Sequence, residues 1–147
     1  MAMNSALYEK DILLWVEDTV SKLKNHDFEN LDIENLIEEV EALGISQKKE
    51  LISRLIVLIE HILKRLYVDS PHDYNGWERT IRNQRTEIDL LISQAPSLQT
   101  RWKISFEDAW KRALVKLNKE YPQVSFPTEC PFDQTIDTLL NEDIWEE

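Results

Sequence analysis

The feature that most constrains this chain is residues 50–68, ELISRLIVLIEHILKRLYV. On a helix turning about 100° per residue, Leu51, Ile52, Leu55, Ile56, Leu58, Ile59, Ile62, Leu63, Leu66 and Tyr67 fill about half the circumference. Packing against one neighbour needs an apolar stripe of only about 100°. This segment has enough apolar surface for two neighbours, so it reads as the central helix of a bundle.

The flanking segments supply those neighbours. A first helix is expected from Leu7 to His26, its apolar positions being Tyr8, Ile12, Trp15, Val16, Thr19, Val20 and Leu23. Asp32 is a good N-cap for a second helix from Ile33 to Leu43, with Leu31 placed to staple onto Leu36. That helix is expected to bury Ile33, Leu36, Ile37, Val40 and Leu43 and to stop at Gly44 in a left-handed conformation. Ser46 would cap the central helix, and Asp69-Ser70-Pro71 would end it. Asp69 to Gly76 is loop-like, and Asn75 with Glu78 resembles a capping box for a fourth helix over Trp77, Ile81, Gln84, Ile88, Leu91, Ile92 and Ala95. After Pro96, Ser97 would cap a fifth, aromatic-rich helix from Leu98 to about Glu120, carrying Trp102, Phe106 and Trp110. Pro122, Pro127 and Pro131 then exclude helix, leaving an extended arm pinned by Val124, Phe126 and Phe132. A short helix from about Asp133 to Leu140, capped by Asp133, follows, and Trp145 is placed to tie down the end. The reading is all-α: one domain over residues 1–147, a bundle of about five helices over 7–120, and a proline- and aromatic-rich arm with a short helix over 121–147.

Composition agrees with long helices, since the 147 residues include two glycines but five tryptophans. The longest apolar run, Leu55 to Ile59, falls far short of the ~18 residues that span a bilayer. Asn4, Glu9 and Asp11 interrupt the opening segment, so no signal segment is expected. Cys130 is the single cysteine, which removes disulfides and cysteine metal sites from consideration. The chain is expected to be soluble and cytoplasmic.

Its net charge of −11 is unevenly spread. Residues 1–46 hold eleven acidic and three basic side chains (−8), residues 47–120 ten and fourteen (+4), and residues 121–147 seven acidic ones alone (−7). Acidic ends can neutralise a basic middle, or the acidic face can meet a basic partner. Nucleic acid is disfavoured, because no basic stripe with interleaved aromatics appears and the chain as a whole repels phosphate.

Few residues could carry chemistry. His61 lies on the polar arc of the central helix with Arg54, Val57, Lys64 and Arg65, where positive neighbours should disfavour its protonation. Its plain structural role would be a bond to a carboxylate of the second helix, where Glu34, Glu38 and Glu41 recur at i, i+4, i+7 and Glu39 lies on the other flank. Glu38, Glu41, His61 and Lys64 thus form the candidate polar site. Whether it takes a metal is open, because the chain has no Glu-x-x-His, His-x-x-x-His or His-Glu-x-x-His spacing. Cys130, beside Glu129, is expected to have a raised thiol pKa and low reactivity. No Gly-x-Ser-x-Gly or phosphate loop occurs, and no cofactor is implied. Arg79, Arg82 and Arg85 could grip an anion, but Glu78–Arg82 and Arg85–Asp89 have the spacing of ordinary surface pairs.

Several segments together resemble a known family. They are Tyr8-Glu9-Lys10-Asp11 with Trp15, Phe28 with Leu31-Asp32, the run Asn35 to Glu41, Ser53, and the run His61 to Lys64. Trp77 with Thr80-Ile81 and Arg85, Pro96-Ser97-Leu98, and Phe126-Pro127 with Cys130-Pro131-Phe132 continue the match. The chain resembles the bacterial, chiefly cyanobacterial, domain-of-unknown-function 29 family over nearly its whole length, with Asn35–Glu41 and His61–Lys64 the specific part. It departs from the pattern at Arg65 and at Asp73-Tyr74-Asn75-Gly76. The resemblance implies an all-helical fold and no assigned activity.

Two functions remain. The first is a non-catalytic protein-interaction domain, self-associating or binding another protein, motivated by charge segregation and aromatic arms without any catalytic motif. The alternative is an enzyme or metal- or ligand-binding bundle with Glu38, Glu41 and His61 in a polar pocket. An acidic decoy for a nucleic-acid-binding protein fits the net charge alone.

Overall fold

The computed structural model describes residues 2–145, with side chains from residue 6 onward. Among the described residues there are six α-helices, one 3₁₀-helix and no strand: α1 (Ala2–Lys10), α2 (Ile12–Lys24), α3 (Ile33–Tyr67), α4 (Pro71–Gln94), the 3₁₀-helix (Pro96–Arg101), α5 (Trp102–Glu120) and α6 (Ile136–Asn141). The protein is all-α, with bundle-like packing. Two compact units divide the chain, residues 1–46 and 47–147, and the division falls inside α3.

In the second unit the expected central helix is present. Leu51, Leu55, Leu58, Ile59, Ile62 and Leu63 of α3 are fully buried, with Ile52, Ile56 and Leu66 packed at the margin. Arg54 reaches Gln84 (3.3 Å) and Glu87 (3.6 Å) while Arg65 reaches Glu78 (2.8 Å), so α4 runs antiparallel to α3. Glu60 pairs with Lys116 (3.0 Å) and Lys64 with Glu120 (3.3 Å), so α5 runs parallel to it. Ile81, Ile88, Leu91 and Ile92 of α4 and Phe106, Ala109, Ala113 and Leu117 of α5 complete the core.

The arm after α5 is non-helical, as its prolines require. Indole N–H groups hold it: Trp102 donates to Gln134 O (2.7 Å) and Trp110 to Thr128 O (3.1 Å). Phe126 meets Tyr67 and Tyr121 edge-on, and Phe132 meets Trp110. The final helix is capped by Thr135, whose hydroxyl accepts from Thr138 N, while Asp133 takes the Thr135 N–H (3.0 Å). Arg85 fixes its far end. The buried guanidinium donates to Leu139 O (2.7 Å) and Glu142 O, satisfying carbonyls that the helix leaves unpaired. Burial opposes its charge, and Asp143 at 3.7 Å favours it. Trp145 lies under both Arg85 and Arg65.

Several boundaries differ from the sequence reading. The first helix is two, because Asp11 breaks the run and caps α2 through Leu14 N (3.1 Å). It ends at Lys24, where His26 adopts a positive φ of 56° and the Asp27 and His26 amides return to Lys22 O and Leu23 O, a Schellman closure. Gly44 does not stop the second helix: it has no positive φ and lies inside the 35-residue α3, as does Ser46. A glycine costs a helix only about 1 kcal/mol, and no proline follows to prevent continuation. Pro71 sits at the start of α4 instead of in a loop, where its missing N–H costs nothing, so Asn75 and Glu78 form no capping box. Ser97 belongs to the 3₁₀-helix, and α5 begins at Trp102.

In the first unit, Trp15 is the centre. Its ring meets Tyr8 edge-on at 5.0 Å, its indole donates to Asp32 (3.2 Å), and Thr19 returns a bond to its carbonyl (2.8 Å). Asp32 starts α3, accepting from Asn35 Nδ2 (2.7 Å) and, more distantly, Asn35 N (3.5 Å). Tyr8 donates to Glu39 (2.6 Å); that bond, then desolvation and the charges of Glu39, Glu38 and Asp32, push its phenol up to about 12.

The Arg85 clamp yields a test. Arg85→Met leaves the Leu139 and Glu142 carbonyls without a charged donor and should lower stability by about 2–3 kcal/mol in urea melts. Arg85→Lys should recover only part of that, since an ammonium cannot span both carbonyls.

Candidate functional site

The four residues of the candidate polar site lie on α3, Glu38 and Glu41 in the first unit and His61 and Lys64 in the second. Glu38 and Glu41 are exposed. Of that acidic group Glu39 is the one engaged inside its unit, through Tyr8. Nothing in the sequence distinguishes Glu39 from its neighbours except its angle on the helix.

His61 is half-buried, and its Nδ1 lies 2.7 Å from Val57 O. A carbonyl can only accept, so Nδ1 carries the hydrogen and Nε2 keeps its lone pair in the neutral ring. The Nδ1 partner is therefore a backbone carbonyl one turn back. Burial lowers its pKa below the usual histidine value, and Lys64 adds to this, while the Val57 bond, Glu60 and Glu120 oppose it. The direction read from sequence is right, but burial outweighs the positive neighbours.

Lys64 is committed to structure. Its nearly buried ammonium pairs with Glu120 and lies 5.8 Å from the Tyr121 ring centre. One turn earlier the buried Glu60 takes Lys116. Two ion pairs of opposite polarity thus pin the seam between α3 and α5, with His61 beside them. Sequence reasoning missed Glu60; its place at the edge of the apolar half-circumference was the available signal.

Cys130 lines a cavity of about 340 Å³ between α5 and the arm, with Phe106, Trp110, Lys111 and Gln134 among its walls. Its thiol donates to Phe132 O (3.3 Å), and burial raises its pKa, with Asp133 rather than Glu129 adding negative charge. It is thus a poor nucleophile. A wider groove of about 560 Å³ runs along α5, lined by Ile56, Lys111, Arg112 and Lys116 among others. Arg112 and Lys116 are already paired, with Asp108 (3.1 Å) and Glu60. The arginines of α4 do not act as a grip: Arg85 caps α6, and Glu78 pairs with Arg65. Among the described residues no three His, Cys, Asp or Glu side chains converge as metal ligands, and no helix is long and apolar enough to cross a membrane.

The largest departure from expectation lies in the first unit. Its buried apolar side chains among the described residues are Trp15 and Leu31. Ile33, Ile37, Val40 and Leu43 of α3, all expected in the core, are exposed, Val40 at 59% and Leu43 at 68%. Leu13, Val16, Val20 and Leu23 of α2 are exposed as well, Leu13 at 64%. The 3.6-residue spacing is present in both stripes, but these side chains are exposed. A shallow groove of about 420 Å³ follows α2, lined by Val16, Val20 and Lys24 among others.

Fold and surface define an all-helical protein with one well-packed unit and one that presents apolar helix faces. A family model described as domain of unknown function DUF29 matches residues 7–145, and the chain belongs to that family. No curated protein and no solved structure matches the chain.

The half-buried imidazole gives a pH test. A pKa lowered on folding means the unfolded chain binds the proton more readily, so stability falls as pH drops below about 6.5 toward the folded value. His61→Gln should remove this contribution and lose less stability than the parent between about pH 7 and pH 5, measured by urea denaturation at each pH. An NMR titration giving His61 an ordinary or raised pKa would contradict it.

Proposed function

We propose that this chain is a non-catalytic protein-interaction domain whose docking face is the apolar surface of its first unit. The observation that supports it most is the exposed series Ile33, Ile37, Val40 and Leu43, a stripe at helical spacing that leaves solvent in contact with side chains usually found in cores. Each large aliphatic residue gains about 1.5–3 kcal/mol on full burial, so a few such anchors supply ample drive for association. The second unit, closed by its own core, Arg85 and two tryptophan ties, serves as the folded support.

A ligand-binding or proton-transfer role for His61 is the second reading, favoured by its unprotonated Nε2. Lys64, paired with Glu120, is not placed as a reacting group.

Ile37→Asp with Val40→Asp should leave the fold intact, each exposed change costing no more than about 0.5 kcal/mol, yet abolish association. A photo-crosslinking amino acid at Leu43 should give protein adducts in cells that disappear in this double variant. The same group at exposed Arg82 should give none. Equal labelling at both positions would sink the proposal.

A further inference from the structure

We infer that the occupant of the α3 stripe is a basic amphipathic helix of another protein, and not a second copy of this chain. The inference rests on the docking reading above and adds the chemistry of the partner.

The stripe and its flank run together along α3. Ile33, Ile37 and Val40 stand at i, i+4, i+7, and Glu34, Glu38 and Glu41 repeat the same spacing one position on. At about 100° per residue, Glu34 and Glu41 lie immediately beside the apolar row, with Glu38 just outside them. All three acidic side chains are exposed, and so are the three apolar ones. A helix laid along this face would bury its apolar row on Ile37 and Val40 and bring one flank against the glutamates. Lysine or arginine on that flank completes the contact; acidic residues there repel it.

The charge of the whole unit points the same way. Residues 1–46 carry eleven acidic and three basic side chains, a net −8. Lys22 of that small basic set is paired with Asp18 (2.8 Å). Two copies meeting through this face would bring −8 against −8 and set the rows of Glu34, Glu38 and Glu41 against a surface that is itself acidic. A basic partner gains attraction where a second copy meets repulsion, and in a rim of this kind charge selects partners more than it adds affinity.

The test uses the full chain and two synthetic helical peptides of about five turns. One has leucine along its apolar row with lysine on both flanks; its twin has glutamate in place of every lysine. The lysine peptide should bind a monomeric protein at least about tenfold more tightly than its twin at ~50 mM salt, with the ratio shrinking at ~500 mM. Ile37→Asp with Val40→Asp should lose this binding even though it makes the protein more acidic, which separates docking from general charge attraction. Glu34→Lys with Glu38→Lys and Glu41→Lys should invert the preference between peptides. Circular dichroism and thermal melts establish that both variants fold.

Equal binding of the two peptides, lost in the aspartate variant, would overturn the basic partner and leave the docking face standing. Dimerisation through the stripe, read by sedimentation equilibrium and abolished by the same variant, would do likewise in favour of a second copy. Lysine-peptide binding that the aspartate variant retains would overturn the inference as unspecific attraction. If neither peptide binds and the aspartate variant alters no association of the protein, both the inference and the docking reading fail.

Discussion

The structure depends on the apolar half-circumference of α3 between Leu51 and Leu66. Six of its side chains are fully buried, and they serve α4 and α5 at once. The flanks of that surface then decide orientation. Arg54 and Arg65 face α4 in antiparallel register, and Glu60 and Lys64 face α5 in parallel register. The Glu60–Lys116 and Lys64–Glu120 pairs have opposite polarity, so a slip of one turn would set Glu60 against Glu120 in one direction or Lys64 against Lys116 in the other. Apolar contact holds the three helices together, and charge order fixes how they align.

The arm extends the same logic to a stretch that makes no regular backbone bonds. Polar side chains from the helices supply what the arm lacks: Trp102 and Trp110 donate to its carbonyls, and Arg85 does so at the end of α6. A six-residue helix is too short to be stable alone, so α6 exists because Leu139 is buried and its C-terminal carbonyls are met. Arg85 is a buried cation recruited for backbone capping, a role that its spacing from Asp89 did not suggest.

The first unit is built differently. Trp15, Tyr8, Asp32 and Glu39 connect through one ring contact and a few hydrogen bonds, with little apolar surface enclosed. A unit with so small a core leaves its aliphatic residues facing water, and the spacing that ordinarily marks an inward face marks an outward one. Membership of the DUF29 family over residues 7–145 includes this unit together with the packed one.

The sequence by itself determined the helical class, the central segment, the proline-broken arm and the resemblance that the family match bears out. Each follows from local physics: helical periodicity, the missing N–H of proline, and residue order. For His61 the positive neighbours indicate a lowered pKa, but burial, a tertiary property, is the larger cause. Only the tertiary structure decided which apolar stripes are covered, because periodicity marks a face without naming its partner. Ile37 and Leu55 obey the same spacing, yet one is exposed and the other buried. Gly44 shows the same limit at the backbone level: glycine permits a left-handed stop but does not require one, and the helix runs through it. The roles of Arg85, Glu60 and Lys64 were likewise settled by partners 54 to 57 residues away, distances over which no local spacing carries information.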